Sequence, residues 1–410
     1  MPTLPLEIIE SILSILAVSD FNSLLTTSLT CSAFVPLCRA HIFRSITLNS
    51  ASEFENVTPS MLHDRLSQTP ELAQYIRHLS FNMKEHDTHD STIVLALQHL
   101  THLRSLSIWH HPYLVKVHPE ISWNKDPAVR VALRHILALP SLVELEIFAI
   151  HGGIFLSDLT SSAGALEKLT LELFLPVDLS SIAAKPTPSK PLKLRVLDLK
   201  FQSVSPIVHF CSIKCADGRP FLDFSRLTWL SLVLEEMPQL KGSQVGSIIE
   251  RCTGLVELHI TATYPCITLF GLTDAIQPSI HTLKRLRIHV SFNKEGSIEY
   301  TDINNPLTIL ASELDHVGRT DNILEEITLR LSIGLTAGYN PSISLRMLNK
   351  SFARNKWPML RSVSLDVSVS QRSPAALAAD EFKRLVKEEL SWLFLNDSVL
   401  VNFEYLVWLG

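Results

Sequence analysis

Glycine is scarce in this chain, 13 in 410 residues. No Gly-x-x-x-x-Gly-Lys-Ser/Thr loop is present to cradle phosphates, and no Gly-x-Ser-x-Gly elbow to lift a nucleophilic serine. Uncharged apolar runs are short as well, and none approaches the roughly 20 residues that span a bilayer. The start, Met1-Pro2-Thr3-Leu4-Pro5, lacks a basic segment, and Glu7 and Glu10 interrupt the apolar stretch behind it, which speaks against a secretory signal. There is no excess of positive charge: Lys+Arg 36 against Asp+Glu 41 gives a net charge of -5, with no concentrated basic surface for nucleic acid. No long run of like charge forms a tail. The six cysteines are scattered through a chain that is neither small nor poor in apolar residues, so they do not read as a disulfide framework. These absences lead us to expect a soluble cytoplasmic or nuclear protein with reduced thiols, no cofactor, and neither membrane nor nucleic acid as partner.

What is present is apolar. Hydrophobic residues make up 46% and charged residues 19%, enough to bury a core. The length exceeds one ordinary core, and we expect a helical module over 1–48 and a long array over 49–410. Pro5 and Glu7 suit a first helical turn, and Ile8, Ile9, Ile12, Leu13, Ile15 and Leu16 follow at helical spacing. Ser19-Asp20 can cap a second helix with Phe21, Leu24, Leu25, Ser28 and Leu29, and Pro36 can open a third running to about Ile42. The first helix is apolar on more sides than an internal stripe needs, so a partner or the next domain should cover the excess.

The segment LPLEIIESILSILAVSDFNSLLTTSLTCSAFVPLCRAHIFRSITL resembles the F-box in its fungal form. Leu4-Pro5, the Ile8/Ile9/Ile12/Leu13/Leu16 pattern, Leu25, Ser28-Leu29-Thr30-Cys31, Phe34, Arg39 and Phe43-Arg44 carry the resemblance, over about a tenth of the chain. Many members of that family have Trp where this chain has Phe34; an aromatic is kept. The resemblance implies docking on a Skp-family linker of a cullin complex through Leu4, Pro5, Ile8, Ile9, Ile12, Leu25 and Phe34. The other reading of the same helices is a cap on the array that follows.

From residue 76 onward one pattern recurs: apolar, two variable, apolar, one variable, apolar. It appears at Ile76/Leu79/Phe81, Leu103/Leu106/Ile108, Leu142/Leu145/Ile147, Leu166/Leu169/Leu171 and Leu194/Leu197/Leu199. It continues at Leu227/Leu230/Leu232, Leu255/Leu258/Ile260, Leu283/Leu286/Ile288, Leu324/Ile327/Leu329 and Leu360/Val363/Leu365. The central spacing is roughly 24–33 residues, near the period of leucine-rich repeats, with one strand and one helical or irregular segment per unit. Asp126 to Ala138, Ser243 to Arg251, Asn305 to His316 and Ser344 to Arg354 read as helices between strands. The ninth position, Asn in the familiar repeat, holds Lys84, His111, Ile150, Phe174, Gln202, Glu235, Thr263, Ser291, Ser332 and Ser368, so no buried Asn ladder sets the curvature. The array resembles the irregular leucine-rich domains behind many F-boxes. The fold expected is α/β: a three-helix module and then an irregular solenoid, parallel strands with helices on the convex side.

If the three apolar positions point inward, the residues between them line the concave face. Acidic residues gather there at Glu144, Glu146, Glu172 and Asp198, and basic ones at Arg285 and Arg287. Trp109, Phe148 and Trp229 are aromatic anchors of the kind interfaces favour. These nine are the expected contacts for a target protein. Signals for chemistry are weak. His86-Asp87-Thr88-His89-Asp90 packs metal-capable groups too closely for a zinc geometry, Cys211 and Cys215 have no second pair, and His151-Gly152-Gly153 has no nucleophile to serve. We therefore expect no enzyme, but a substrate-recruiting subunit of a cullin-type ubiquitin ligase. The alternative is a leucine-rich scaffold whose first helices only cap the array.

Overall fold

In a computed structural model, the described residues are 5–49, 57–83, 91–110, 127–148, 159, 165–173, 190–201, 204–235, 240–263, 269–292, 305–335, 342–353, 356–371, 379–394 and 399–409. Two compact units result: Met1–Leu192 with Cys215–Asp217, and Lys193–Lys214 with Gly218–Gly410.

The first unit opens with three helices, α1 (Leu6–Ser19), α2 (Phe21–Thr30) and α3 (Phe34–Ile42). Pro5 stands at the N-cap of α1. Asp20 caps α2 with a bond from the Ser23 amide at 3.0 Å, as its place before an apolar-periodic run predicts. The third helix starts before Pro36 because Pro fits the first turn, where its missing N–H costs nothing. Leu13, Leu24 and Cys38 are fully enclosed where the three helices meet.

The chain then enters five parallel strands in chain order: β1 (Ser45–Asn49), β2 (His78–Met83), β3 (Ser105–His110), β4 (Glu144–Phe148) and β5 (Lys168–Leu173). Helices α4 (Pro59–Gln68), α5 (Ser91–Gln98) and α6 (Pro127–Leu137) fall between successive strands. A parallel pair requires such a crossover.

The second unit repeats the scheme with seven parallel strands: β6 (Val196–Phe201), β7 (Trp229–Glu235), β8 (Glu257–Thr263), β9 (Arg285–Phe292), β10 (Glu326–Leu335), β11 (Ser362–Gln371) and β12 (Leu400–Leu409). Its helices are α7 (Val204–Ser212), α8 (Gln244–Glu250), α9 (Leu272–Ile276), α10 (Pro306–Gly318), α11 (Ser342–Ser351), α12 (Ala379–Glu389) and the single turn α13 (Ser391–Phe394). Ser243 and Asn305 cap α8 and α10 through their side chains.

This is a repeating, all-parallel α/β fold of the solenoid kind. Every apolar residue of the ten recurrences read from the sequence is buried, and the residues between them lie on the opposite face. Two strands escaped that reading. Phe43/Ile46/Leu48 keeps the pattern in β1, but its residues had been absorbed into the helical motif. In β12 the first apolar position is Ser398 and only Val401 and Phe403 remain, as the register Val363↔Val401 and Leu365↔Phe403 shows. The ninth position differs from a leucine-rich repeat in a second way. Instead of turning there, β10 and β11 run on, and Ser368 donates to the Ser332 hydroxyl at 2.9 Å. A small hydroxyl fits a pleated strand, whereas a buried Asn amide stabilises a turn.

Candidate interaction surfaces

Among the described residues, no group of three or more His, Cys, Asp or Glu could hold a metal, and no helix is long and apolar enough to cross a membrane. Burial pushes the Cys211 thiol strongly up and raises that of Cys252 to about 12, so neither is a thiolate at neutral pH. The His86–Asp90 and His151–Gly153 segments lie outside the described residues. Two surfaces remain.

The first is on α1 and α2. Among the described residues, eight of the seventeen exposed large apolar side chains belong to these helices: Leu6, Ile8, Ile12, Ile15, Val18, Phe21, Leu25 and Leu29. Helical geometry explains the concentration. Ile9, Leu13 and Leu16 share one stripe and pack on the module's core, while Ile8, Ile12 and Ile15 form a second stripe about 100° away that faces outward. Scattered exposed apolar side chains are ordinary, but such a concentration on one helix pair makes it a candidate interaction surface. Of the residues the resemblance nominates, Ile8, Ile12 and Leu25 are on this patch and Pro5 is exposed at its start. Ile9 and Phe34 instead pack half-buried against the core, and Leu4 lies outside the described residues. Ile15 and Leu29, which the resemblance does not nominate, are exposed as well, and their spacing from Ile8, Ile12 and Leu25 puts them on the same stripes.

The second surface is the open face of the strands. In the first unit Trp109, 41% exposed, stacks on Phe148 with ring centroids 3.7 Å apart, because β3 and β4 pair them directly. One residue pair lower on the same face, Glu146 accepts from Ser107 at 2.7 Å and pairs with Lys168 at 2.6 Å. Glu144 lies two strands from His78, with Ser105 in register between them, and Glu172 follows Phe148 in register. Burial is the first reason the His78 ring resists protonation, with Arg44 adding to it and Glu144 opposing it.

In the second unit Trp229 is half-buried, and Glu257, in register between it and Arg285, is buried. The Glu257 carboxylate takes Arg285 Nε at 2.6 Å and Arg287 Nε at 3.1 Å. Arg285 and Arg287 therefore share a carboxylate on the open face and are not a purely cationic patch. Beside them Arg330 pairs with Asp366 at 3.2 Å, and Asp198 lies within electrostatic reach of His259. Glu257 was assigned to this face in sequence but not to the site. Its signal, a carboxylate one strand before two arginines, was legible only once the pairing was known.

The described surfaces present an aromatic stack, cross-strand ion pairs and hydroxyls on the sheet, plus an exposed apolar helix pair. No protein-family profile matches the chain, and no curated protein matches it significantly. The class that fold and surfaces define is a repeating parallel α/β protein with an exposed apolar helical patch near its start.

Proposed function

We propose that this protein is a substrate-recruiting adaptor of a cullin-type ubiquitin ligase. The α1–α2 patch docks on a Skp-family linker and the open strand face holds a target protein. The observation that carries the reading is the outward stripe Ile8, Ile12 and Ile15 on α1, together with exposed Leu25 and Leu29 on α2, on helices already packed internally by other residues. A helix that only capped the array would need one apolar face; this one has two. The F-box resemblance covers the same residues and supplies the class of partner. On the strand face, Trp109 on Phe148 is a preorganised aromatic anchor of the kind that dominates interface energies. The ion pairs along Glu146–Lys168 and Glu257–Arg285–Arg287 would fix register more than affinity.

Affinity capture of the full chain from a fungal extract tests this. A stoichiometric Skp-family linker is expected with the unaltered chain. It should be lost when Ile8 and Ile12 are both changed to Asp, since docking would then bury unpaired carboxylates. Both side chains point away from the module's core, so the double variant keeps its melting temperature. A folded double variant that still captures the linker removes the adaptor reading.

A further inference from the structure

We infer that the starts of β1, β2 and β3 form a docking row for a short acidic, extended segment of a partner protein, with Arg44, Arg77 and Arg104 receiving its carboxylates. The inference deepens the adaptor reading, on which it rests only for calling that partner the target.

The strand ladder builds the row. Ser45 pairs with His78 and His78 with Ser105, so the residues just before them, Arg44, Arg77 and Arg104, stand one strand apart. The Arg77 amide donates to the Arg44 carbonyl at 2.9 Å, and the Arg104 amide to the Arg77 carbonyl at 2.7 Å. Successive strands lie about 4.8 Å apart, so the row is roughly 10 Å long. Arg44 and Arg104 are exposed and Arg77 is half-buried. The charges of Arg44 and Arg104 both reach the His78 ring between them. Ser45, His78 and Ser105 run alongside on the open face and add two hydroxyls and an imidazole.

Side by side, three arginines repel, and like charges set opposite each other weaken a sheet. Among the described residues none of the three makes an ion pair; Arg77 uses one donor on the His102 carbonyl at 3.0 Å. The second unit treats the same position differently. Just before β9, β10 and β11 stand Lys284, Glu325 and Arg361, and the central carboxylate takes Lys284 at 3.0 Å and Arg361 at 3.6 Å. The first row has an arginine where the second has that glutamate. A partner's carboxylates would supply the missing charge.

The form of the row selects its occupant. Phosphate groups are commonly held by converging donors that include backbone N–H groups. Here the amides of Arg77, His78, Arg104 and Ser105 are all bonded to carbonyls of the neighbouring strand. What remains is a line of separate guanidinium forks, and each fork matches one carboxylate. An extended chain advances about 3.3 Å per residue, so three or four residues laid across the strands span the line. The row also has an end. The next two residues at this position are Val143 and Glu167, and Glu144 follows Ser105 in register, so a longer acidic run would meet like charge at β4 and β5. A short acidic stretch therefore fits better than a nucleic acid, whose charge continues along its whole backbone.

Fluorescence anisotropy tests this, with the purified full chain and a labelled peptide carrying three glutamates separated by single serines. Saturable binding that weakens as salt rises is expected, and none with glutamine in place of glutamate. Changing Arg44 and Arg104 together to Gln should weaken binding about tenfold or more. Changing Arg226 and Arg384 to Gln, the same loss of charge elsewhere, should not. Absence of saturable binding by the unaltered chain overturns the proposal, as do equal effects of the two double variants. Inorganic phosphate or a single-stranded RNA that displaces the probe at a lower concentration than the unlabelled peptide overturns it too. Melting controls the fold. Should the Gln variant melt early, Arg44→Lys with Arg104→Lys replaces it: the charge stays and the fork is lost, and undiminished binding there also overturns the pairing. Linker capture is a separate readout. A chain that binds the peptide but no linker keeps the docking row and loses the adaptor reading; the reverse loses the row alone.

Discussion

At Gly271 a left-handed backbone and a close approach of another chain segment coincide. Its φ of +88° is a left-handed conformation, and a Cβ there would lie 2.7 Å from the Lys241 amide nitrogen and 2.8 Å from its Cα. Backbone cannot rotate aside. Gly242, at φ +68°, has nothing within 4 Å of the same added atom. Gly242→Ala should therefore cost about 1 kcal/mol, for the conformation alone. Gly271→Ala should cost clearly more, read as a lower urea midpoint. The same corner depends on Glu313, buried in α10. Its carboxylate accepts from the Gly271 amide at 2.8 Å and from the Thr273 amide and hydroxyl, each at 2.9 Å, closing the start of α9 from a neighbouring repeat. Glu313→Ala leaves buried donors unmatched and should cost roughly 1–3 kcal/mol per orphaned group.

At the scale of the element, α1 separates stability from recognition. Leu13 is 2% exposed and sits with Leu24 and Cys38, whereas its neighbour Ile12 is 46% exposed. Leu13→Ala should destabilise the helical module by about 2–4 kcal/mol, through lost burial and a cavity. Ile12→Ala should leave thermal melting nearly unchanged. Equal losses from the two would mean that the outer stripe is packed within this chain. The strands show a comparable division. Their apolar positions belong to the core, and the residues between them are tied side to side, as in Arg285–Glu257–Arg287, so removing one charge also frees its partner.

Across the whole molecule, stability should fall as pH drops from 7.5 to 5.5. His78 in the first unit and His259 and His289 in the second titrate below the ordinary imidazole value, in each case chiefly because burial disfavours the cation. Around His259, Asp198 and Glu257 favour protonation while Arg287 and Arg330 oppose it; around His289, Arg330 and His259 oppose it and Asp366 favours it. The unfolded chain thus binds protons first. Stability is complete above about pH 6.5 and is lost as pH falls from there toward the folded-state values. The carboxylates held below their usual range, Asp315, Glu325 and Glu389 among them, lose their contribution only below about pH 4.5, outside this window. Urea unfolding at the two pH values checks the trend, and changing His259 and His289 to Gln should flatten it.

The sequence by itself determined the repeat. Apolar residues at fixed spacing can be buried only by strands that stack, so ten strands, and helices such as Asn305–His316, were legible from pattern and capping residues. The helix α1 and its apolar spacing were legible too, because 3.6 residues per turn is a local property. Tertiary structure decided whatever depends on which strand lies beside which. It enrolled β12, whose first apolar position is Ser398, because Val401 and Phe403 still meet the register of β11. It turned Ile9 and Phe34 toward the module's core and left Ile15 and Leu29 outside, a choice made by helix packing and not by hydrophobicity. It placed the buried Glu257 against Arg285 and Arg287, residues far apart in sequence whose electrostatics exist only through the pairing of β8 and β9.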